Sequence, residues 1–207
     1  MIDLHGFFER ETGKWKLEIV RPCWMIFSYG FNQGRGQCAQ KRFFDILVSL
    51  GLLAVSWPFM LLVVFMIKFE GRGRGSIIYR QIRVGQHWQL FNVYKFRSMR
   101  EDAEAGGAQW AKKNDDRVTR TGNFIRKTRL DELPKIFNVL KGDMSFVGPR
   151  PERPVFVTQI SERIPYFAVS HLVKPVITGL AQFWYHYGAT EKDSVEKLHF
   201  DLYLHKT

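Results

Sequence analysis

Cysteine is nearly missing from the 207 residues: only Cys23 and Cys38 occur. That pair makes neither a metal-ligand spacing nor a disulfide framework, and it fits a reducing compartment. Acids are also in short supply, with 20 Asp and Glu against 31 Lys and Arg, a net charge of +11. Such a surface favours anionic partners: nucleic acid, phosphorylated substrates or an anionic membrane leaflet. The start lacks a secretory signal, since Met1 to Arg10 is polar and carries Asp3 and Glu9. The glycines of EGRGRGS, Glu70 to Ser76, precede no Lys-Ser/Thr pair, so a phosphate-cradling P-loop is not supported. That piece reads as a basic juxtamembrane turn held to anionic lipid. His186, His199 and His205 match no common zinc spacing and read as solvated or core histidines. No internal repeat is visible.

What the chain does have is one long apolar run. Hydrophobic residues make up 45%, enough for one compact domain plus an appendage. From Ile46 to Ile67 no charge interrupts ILVSLGLLAVSWPFMLLVVFMI. As a straight helix it would reach roughly 33 Å, the thickness of a hydrocarbon core. A buried helix of a soluble protein rarely lacks polar residues over that length. The flanks argue about topology. Lys41 and Arg42 precede the run, while Lys68, Arg72 and Arg74 follow it, whereas a spanning helix carries its basic bias on one side. Pro58, near the middle, removes a helical hydrogen bond, and Ser56 can offer a hydroxyl to the freed backbone. The preferred expectation is a re-entrant helix-break-helix hairpin with Ser56 and Pro58 at the break. Each arm would be about ten residues, or roughly 15 Å. A kinked but spanning helix is the alternative.

Residues 1–40 read as a leader or linker, 41–70 as the membrane segment and 71–207 as the catalytic domain. IIYRQIRVG and QLFNVYKFRSM alternate as strands do, separated by Gly85-Gln86-His87. Residues 101–117 read as a loop or exposed helix. Phe183, Trp184, Tyr185 and Tyr187 suit base or sugar stacking and equally suit a core or membrane interface. EKLHFDLY, Glu196 to Tyr203, has helical spacing suited to the bilayer surface. The fold class expected is α+β: the membrane hairpin, a small cytosolic domain of helices and short strands, and amphipathic surface helices.

Most of the chemistry lies between Thr121 and Pro154. Thr128 stands three residues before Asp131, a capping-box spacing ahead of Ile136, Phe137 and Leu140. On that reading Asp131 and Glu132 are first-turn acids matched to a helix dipole. Arg126, Lys127 and Arg129 before the pair, and Arg150 between Pro149 and Pro151, argue for more. Carboxylates near cations stay ionised, as a nucleophile or metal ligand must. An arginine on a proline-stiffened backbone suits phosphate.

A family resemblance runs from about Lys41 to Leu204 and rests on the motifs KRFFDIL, YRQIRVG, VYKFRSM, VTRTGNFIRKTRLDELPKIFNVLKGDMSFVGPRP and KPVITGLAQ, in this order. The chain resembles the monotopic phosphoglycosyl transferases, bacterial sugar transferases that begin exopolysaccharide, O-antigen and glycoprotein glycan assembly. FFERETGKWKLEIVRPCWMIFSYGF and YGATEKDSVEKLHFDLYL look like the exosortase-associated exopolysaccharide subgroup. The resemblance implies a membrane enzyme of the bacterial inner membrane, with its catalytic domain on the cytoplasmic face. It implies that Asp131 attacks the sugar-bearing phosphate of a UDP-sugar, releases UMP and hands the phosphosugar to polyprenyl (undecaprenyl) phosphate. It places Mg²⁺ at Asp131 and gives Glu132 a supporting role. Lys95, Arg97, Arg126 and Arg150 become phosphate or nucleotide contacts, with Lys174 a weaker one, while Asp143 anchors the GDMS turn. Anionic inner-membrane lipid and a homodimer are further partners in this reading, and nucleic acid is not.

Three departures stand out. Val176 occupies a position where the family usually has glycine, so a turn needing glycine geometry is expected to change. The membrane break is Ser56-Trp57-Pro58 where Ser-Pro is common. Relatives usually continue beyond the equivalent of Thr207. These departures motivate the alternative of a catalytically inactive membrane-anchored scaffold. Membrane-tethered nucleic-acid binding rests on the +11 charge alone, with no binding motif.

Overall fold

The computed structural model describes residues 35–103, 115–163 and 171–178. The leader, the aromatics from Phe183 to Tyr187, EKLHFDLY and the three late histidines lie outside them. Helix α1 (Arg35–Glu70) is followed by strand β1 (Ile78–Val84), strand β2 (Leu90–Phe96), helix α2 (Arg120–Lys127), helix α3 (Lys135–Lys141), strand β3 (Ser145–Val147), helix α4 (Pro154–Arg163) and strand β4 (Val176–Thr178). The mixed helix and strand content agrees with the α+β expectation.

Helix α1 is built inside out. Its buried positions include Asp45, Ser49 and Ser56, together with Val63 and Ile67. These recur at helical spacing and so form one narrow stripe. The other faces expose Phe43, Leu47, Val55, Trp57, Phe59, Leu61 and Phe65, with Val55 and Phe65 each 70% open. A contiguous exposed apolar surface of this kind is what lipid covers. The chain is therefore membrane-associated through α1. Helical structure already begins at Arg35, within the stretch read as linker, and runs unbroken through Pro58. The expected interruption of the helix at Ser56 and Pro58 is thus absent. Ser56 Oγ lies 4.0 Å from Met60 Sδ instead of reaching the backbone that proline leaves unpaired.

The described chain forms two compact units. One comprises Ile46–Ile82 and Asn92–Lys141. Its core joins Val63 and Ile67 of α1 to Phe96 of β2 and Ile125 of α2, with Met60, Ile77, Ile78, Leu130 and Leu133 packed around them. Each fully buried aliphatic side chain contributes about 1.5–3 kcal/mol relative to exposure. The end of the membrane helix is therefore a structural wall of this unit. Gly122 makes the docking of α2 feasible: a Cβ there would collide with the Ser98 carbonyl. Thr119 caps α2, its hydroxyl accepting from the Gly122 amide at 2.9 Å.

The other unit comprises Met1–Asp45, Arg83–Phe91 and Gly142–Thr207. Here β3 and β4 pair in parallel, Ser145 opposite Val176 and Val147 opposite Thr178, with α4 in the crossover. Val176 is fully buried in extended β4 and is not among the positive-φ residues. The expectation of a disturbed glycine turn at 176 is therefore overturned. The tight geometry belongs to Gly148, φ +148, whose added Cβ would sit 2.9 Å from Val176 Cγ1.

Candidate active site

Asp131 and Glu132 lie on a 3-10 turn, Leu130–Glu132, between α2 and α3. The capping-box reading of Thr128 is corrected here. Thr128 closes the C-terminus of α2, its hydroxyl donating back to the Phe124 carbonyl at 3.0 Å. The N-cap one helix earlier is Thr119. Arg129 then adopts a left-handed conformation, φ 60, a strained choice for a residue with a Cβ. That turn redirects the chain so that Asp131 faces inward, 9% exposed.

The two carboxylates have separate surroundings. Glu132 gathers three cations: Lys135 Nζ at 3.1 Å, Lys95 Nζ at 3.8 Å and Arg129 Nη1 at 3.9 Å. Lys135 is itself buried. Asp131 makes no hydrogen bond or ion pair among the described residues. Burial pushes its carboxyl above the ordinary aspartate value and the Glu132 charge adds to this, while Lys95, Lys135 and Arg126 pull it down. The cations act in the direction expected from the sequence, but burial outweighs them. A desolvated carboxylate that no donor satisfies is more nucleophilic than one tied up in hydrogen bonds.

The sequence-derived phosphate contacts divide. Lys95, on β2, and Arg126, at the end of α2, both act on Asp131 electrostatically. Arg97 is engaged elsewhere: it pairs with Glu101 at 2.8 Å and donates to the Arg74 carbonyl at 3.4 Å. It fills the space beside Gly75, φ +80, where a Cβ would strike its guanidinium. Arg150 and Lys174 belong to the other unit. Pro149 and Pro151 are buried and Arg150 is exposed between them. Arg83 holds that loop, with Nη1 donating to the Pro151 carbonyl at 3.0 Å and to Glu152 at 3.1 Å. Lys174 is half-buried just ahead of β4.

No group of three or more His, Cys, Asp or Glu residues gathers among the described residues, so an all-protein metal cage is not built there. The donor chemistry still suits Mg²⁺, which takes one or two carboxylates and completes its shell with water and substrate phosphates. Asp131 would hold it.

Several residues that matter escaped the sequence reading. Asp45, buried at the start of α1, accepts from Ser145 Oγ at 3.0 Å and the Phe146 amide at 3.4 Å. Glu70, the last residue of α1, accepts from the Arg120 and Thr121 amides at 2.9 and 3.1 Å. The signal was present: Asp45 directly precedes the uncharged run and Glu70 is the first acid after it. Lys135, Asn138 and Arg83 gave no such signal, because an amphipathic pattern does not tell which polar residue turns inward.

A lipid-facing helix joined to a buried acid among cations defines a membrane-associated protein. Residues 36–207 match the bacterial sugar transferase family, and the chain belongs to that family. It is 45% identical over 166 residues to the UDP-N-acetylgalactosamine-undecaprenyl-phosphate N-acetylgalactosaminephosphotransferase of Aeromonas hydrophila, covering 80% of this chain and 39% of that protein. It is 42% identical over 160 residues to the UDP-glucose:undecaprenyl-phosphate glucose-1-phosphate transferase of Klebsiella pneumoniae, covering 76% of this chain and 33% of the relative. With the exopolysaccharide production protein PSS of Rhizobium leguminosarum bv. phaseoli it shares 42% over 146 residues, 69% of this chain and 72% of the other. The chain thus spans well under half the length of the first two.

Proposed function

We propose that this chain transfers a sugar-1-phosphate from a UDP-sugar to polyprenyl phosphate, releasing UMP, as the first membrane step of exopolysaccharide assembly. The observation that carries the reading is Asp131: buried, without a hydrogen-bond partner among the described residues, and flanked by a glutamate that holds the cations. The relatives' names supply the substrate classes. The exosortase-associated subgroup rests on sequence outside the described residues.

In this mechanism an Asp131 carboxylate oxygen attacks the sugar-bearing phosphorus of the donor. The bond from that phosphorus to the bridging diphosphate oxygen breaks, and UMP departs with the bond's electrons. An oxygen of polyprenyl phosphate then attacks the same phosphorus and returns Asp131 as a free carboxylate. Lys95, Lys135 and Arg126 hold positive charge around the reacting phosphoryl oxygens, where fixed charge lowers the barrier most. Glu132 keeps Lys95 and Lys135 oriented and absorbs their excess charge when no substrate is present. Bound Mg²⁺ would supply charge neutralisation of the diphosphate. Arg150, exposed on its proline-braced loop, is assigned to donor phosphate, with Lys174 secondary.

The membrane helix is assigned a re-entrant path on the cytoplasmic face of the inner membrane. Ser145 and Phe146 hold Asp45, and Arg120 and Thr121 hold Glu70. The chain from Thr121 to Ser145 is rich in charge and does not thread hydrocarbon. On this reading both ends of the apolar run belong on one side, and the helix, continuous through Pro58 here, would bend at that residue in the bilayer.

The deciding experiment incubates purified protein with radiolabelled UDP-sugar and no acceptor. A phosphosugar adduct on residue 131, absent from Asp131→Asn, is expected. Release of UMP by Asp131→Asn at the wild-type rate would overturn the assignment. Magnesium-independent silence towards every UDP-sugar, with membrane binding intact, would instead favour the scaffold reading.

A further inference from the structure

Where α1 leaves its apolar stretch, the surface opens into a cavity of about 760 Å³ lined by Lys68, Phe69, Glu70, Arg72, Gly73, Arg120 and Thr121. We propose that this cavity binds the headgroup phosphate of an anionic phospholipid, a site separate from the one that holds the reacting phosphates. The inference rests on the membrane location of α1 and not on the transfer chemistry.

Position argues for it first. The cavity begins at the first charged residue after Ile67, and basic residues just beyond an apolar run lie at the depth of lipid phosphates. Phe69 beside it is 78% exposed, an aromatic placed for the acyl-headgroup boundary. Charge argues next. Lys68, Arg72 and Arg120 contribute three cations. Among the described residues neither Arg72 nor Arg120 has an acidic partner, and Lys68 Nζ reaches only the Gly73 carbonyl, at 3.2 Å. The single acid in the lining, Glu70, is occupied by the Arg120 and Thr121 amides. The turn's own amides are satisfied internally: Gly71, Arg72, Gly73 and Arg74 bond to the carbonyls of Ile67, Phe69, Lys68 and Gly71. Recognition therefore falls to the three side-chain cations, which suits a phosphodiester read by charge.

The same lining argues against the acceptor phosphate as occupant. The attacking phosphate must meet the phosphosugar on Asp131, and neither Asp131 nor the cations acting on it line the cavity. A lipid phosphate seated here anchors the end of α1 and the start of α2, and is not consumed.

The test uses the full chain with vesicles of neutral phosphatidylcholine, alone or with phosphatidylglycerol, in a flotation assay. Arg72→Gln with Arg120→Gln is compared with a charge-matched control, Arg100→Gln with Lys127→Gln, both at exposed positions outside the cavity. The cavity variant is expected to lose about 10–30-fold in affinity for phosphatidylglycerol vesicles and to keep its binding to neutral ones. The control should lose less than a third of that factor. Equal losses in both would show diffuse attraction and overturn the site, as would no loss in either. Polyprenyl phosphate added to neutral vesicles is the third arm. If it tightens wild-type binding and fails to tighten the cavity variant, the occupant is the acceptor and the proposal is wrong. Should Arg72→Gln disturb the turn, Lys68→Gln with Arg120→Gln carries the same comparison.

Discussion

Asn138 grips Tyr94 through its side chain: Oδ1 accepts the Tyr94 amide at 3.0 Å, while Nδ2 donates to the Asn92 carbonyl at 2.7 Å. The residue is fully buried, and an asparagine can satisfy a strand's donor and acceptor at once. It fixes α3 against β2 one residue before Lys95, and so sets the distance from Lys95 to Glu132.

Asn138→Ala leaves a buried amide and a buried carbonyl without partners, at a cost of about 2–4 kcal/mol. The unfolding temperature in detergent should fall, and UMP release should fall with it as Lys95 loses its register. Asn138→Asp retains the acceptor for Tyr94 but sets a carboxylate against the Asn92 carbonyl, so an intermediate loss is expected. Wild-type stability in the alanine variant would show the pair to be incidental.

The raised proton affinity of Asp131 has a definite sign in stability. A carboxyl that holds its proton more tightly when folded favours the folded state at acid pH, and that contribution is lost as pH rises through the folded-state pKa. Asp131→Asn removes the penalty of a buried charge. It should unfold at higher urea than wild type near about pH 8, with the gap shrinking on acidification. Activity of the wild type should decline on the acid side earlier than an ordinary aspartate would require. Turnover in Asp131→Asn should be at least ~10³-fold down. A variant less stable than wild type near neutrality would contradict the burial argument.

Much of this was written in the order of residues. The uncharged run, the β1 and β2 alternation around Gly85-Gln86-His87, and Arg126 beside Asp131 follow from pattern, whereas Lys135 does not. Thr128 shows where pattern fails: a threonine before an acid pair fits an N-cap and a C-cap equally, and tertiary packing of Ile125 and Leu130 decides. Arg97 shows the second limit. Its motif suggests phosphate, and the structure adds contacts with Glu101 and the Gly71–Gly75 turn that the sequence does not announce. Glu70 and Asp45 were legible only as punctuation, because their partners lie roughly 50 and 100 positions away.

Glu70→Ala strips the acceptor from the Arg120 and Thr121 amides while Thr119 continues to cap Gly122. A cost of about 0.5–2 kcal/mol follows from losing such a cap. Hydrogen exchange reads it directly: the first-turn amides of α2 should exchange faster and those of α3 should not. Uniform acceleration across both helices would mean global loosening instead.

Arg83 supports the loop that exposes Arg150. Arg83→Met leaves Glu152 without its cation and the Pro151 carbonyl without its donor, at about 2–4 kcal/mol given the partial exposure of the pair. If Arg150 holds donor phosphate as proposed, KM for the UDP-sugar should rise more than kcat falls, because the loop would present a binding group and not the nucleophile. Arg83→Lys should recover part of the stability. A kcat effect with unchanged KM would assign the loop a different role.

The topology of α1 can be settled with its own chemistry. From Asp45 to Glu70 a straight helix would separate its ends by roughly 37 Å, placing them on opposite faces. The re-entrant path proposed above places both ends on one face instead. Cys38 is exposed just ahead of the apolar stretch and serves as the first label, in a Cys23→Ser background. Arg74→Cys with Cys38→Ser supplies the second. In inverted membrane vesicles both thiols should react with a membrane-impermeant maleimide, and in sealed spheroplasts neither should. Replacing Pro58 with leucine removes the bend-prone position, so the Arg74→Cys label should become less uniform if the bend sits there. Opposite accessibility of the two thiols in wild-type sequence would make α1 a spanning helix and detach one of the two acid contacts from the membrane-bound state.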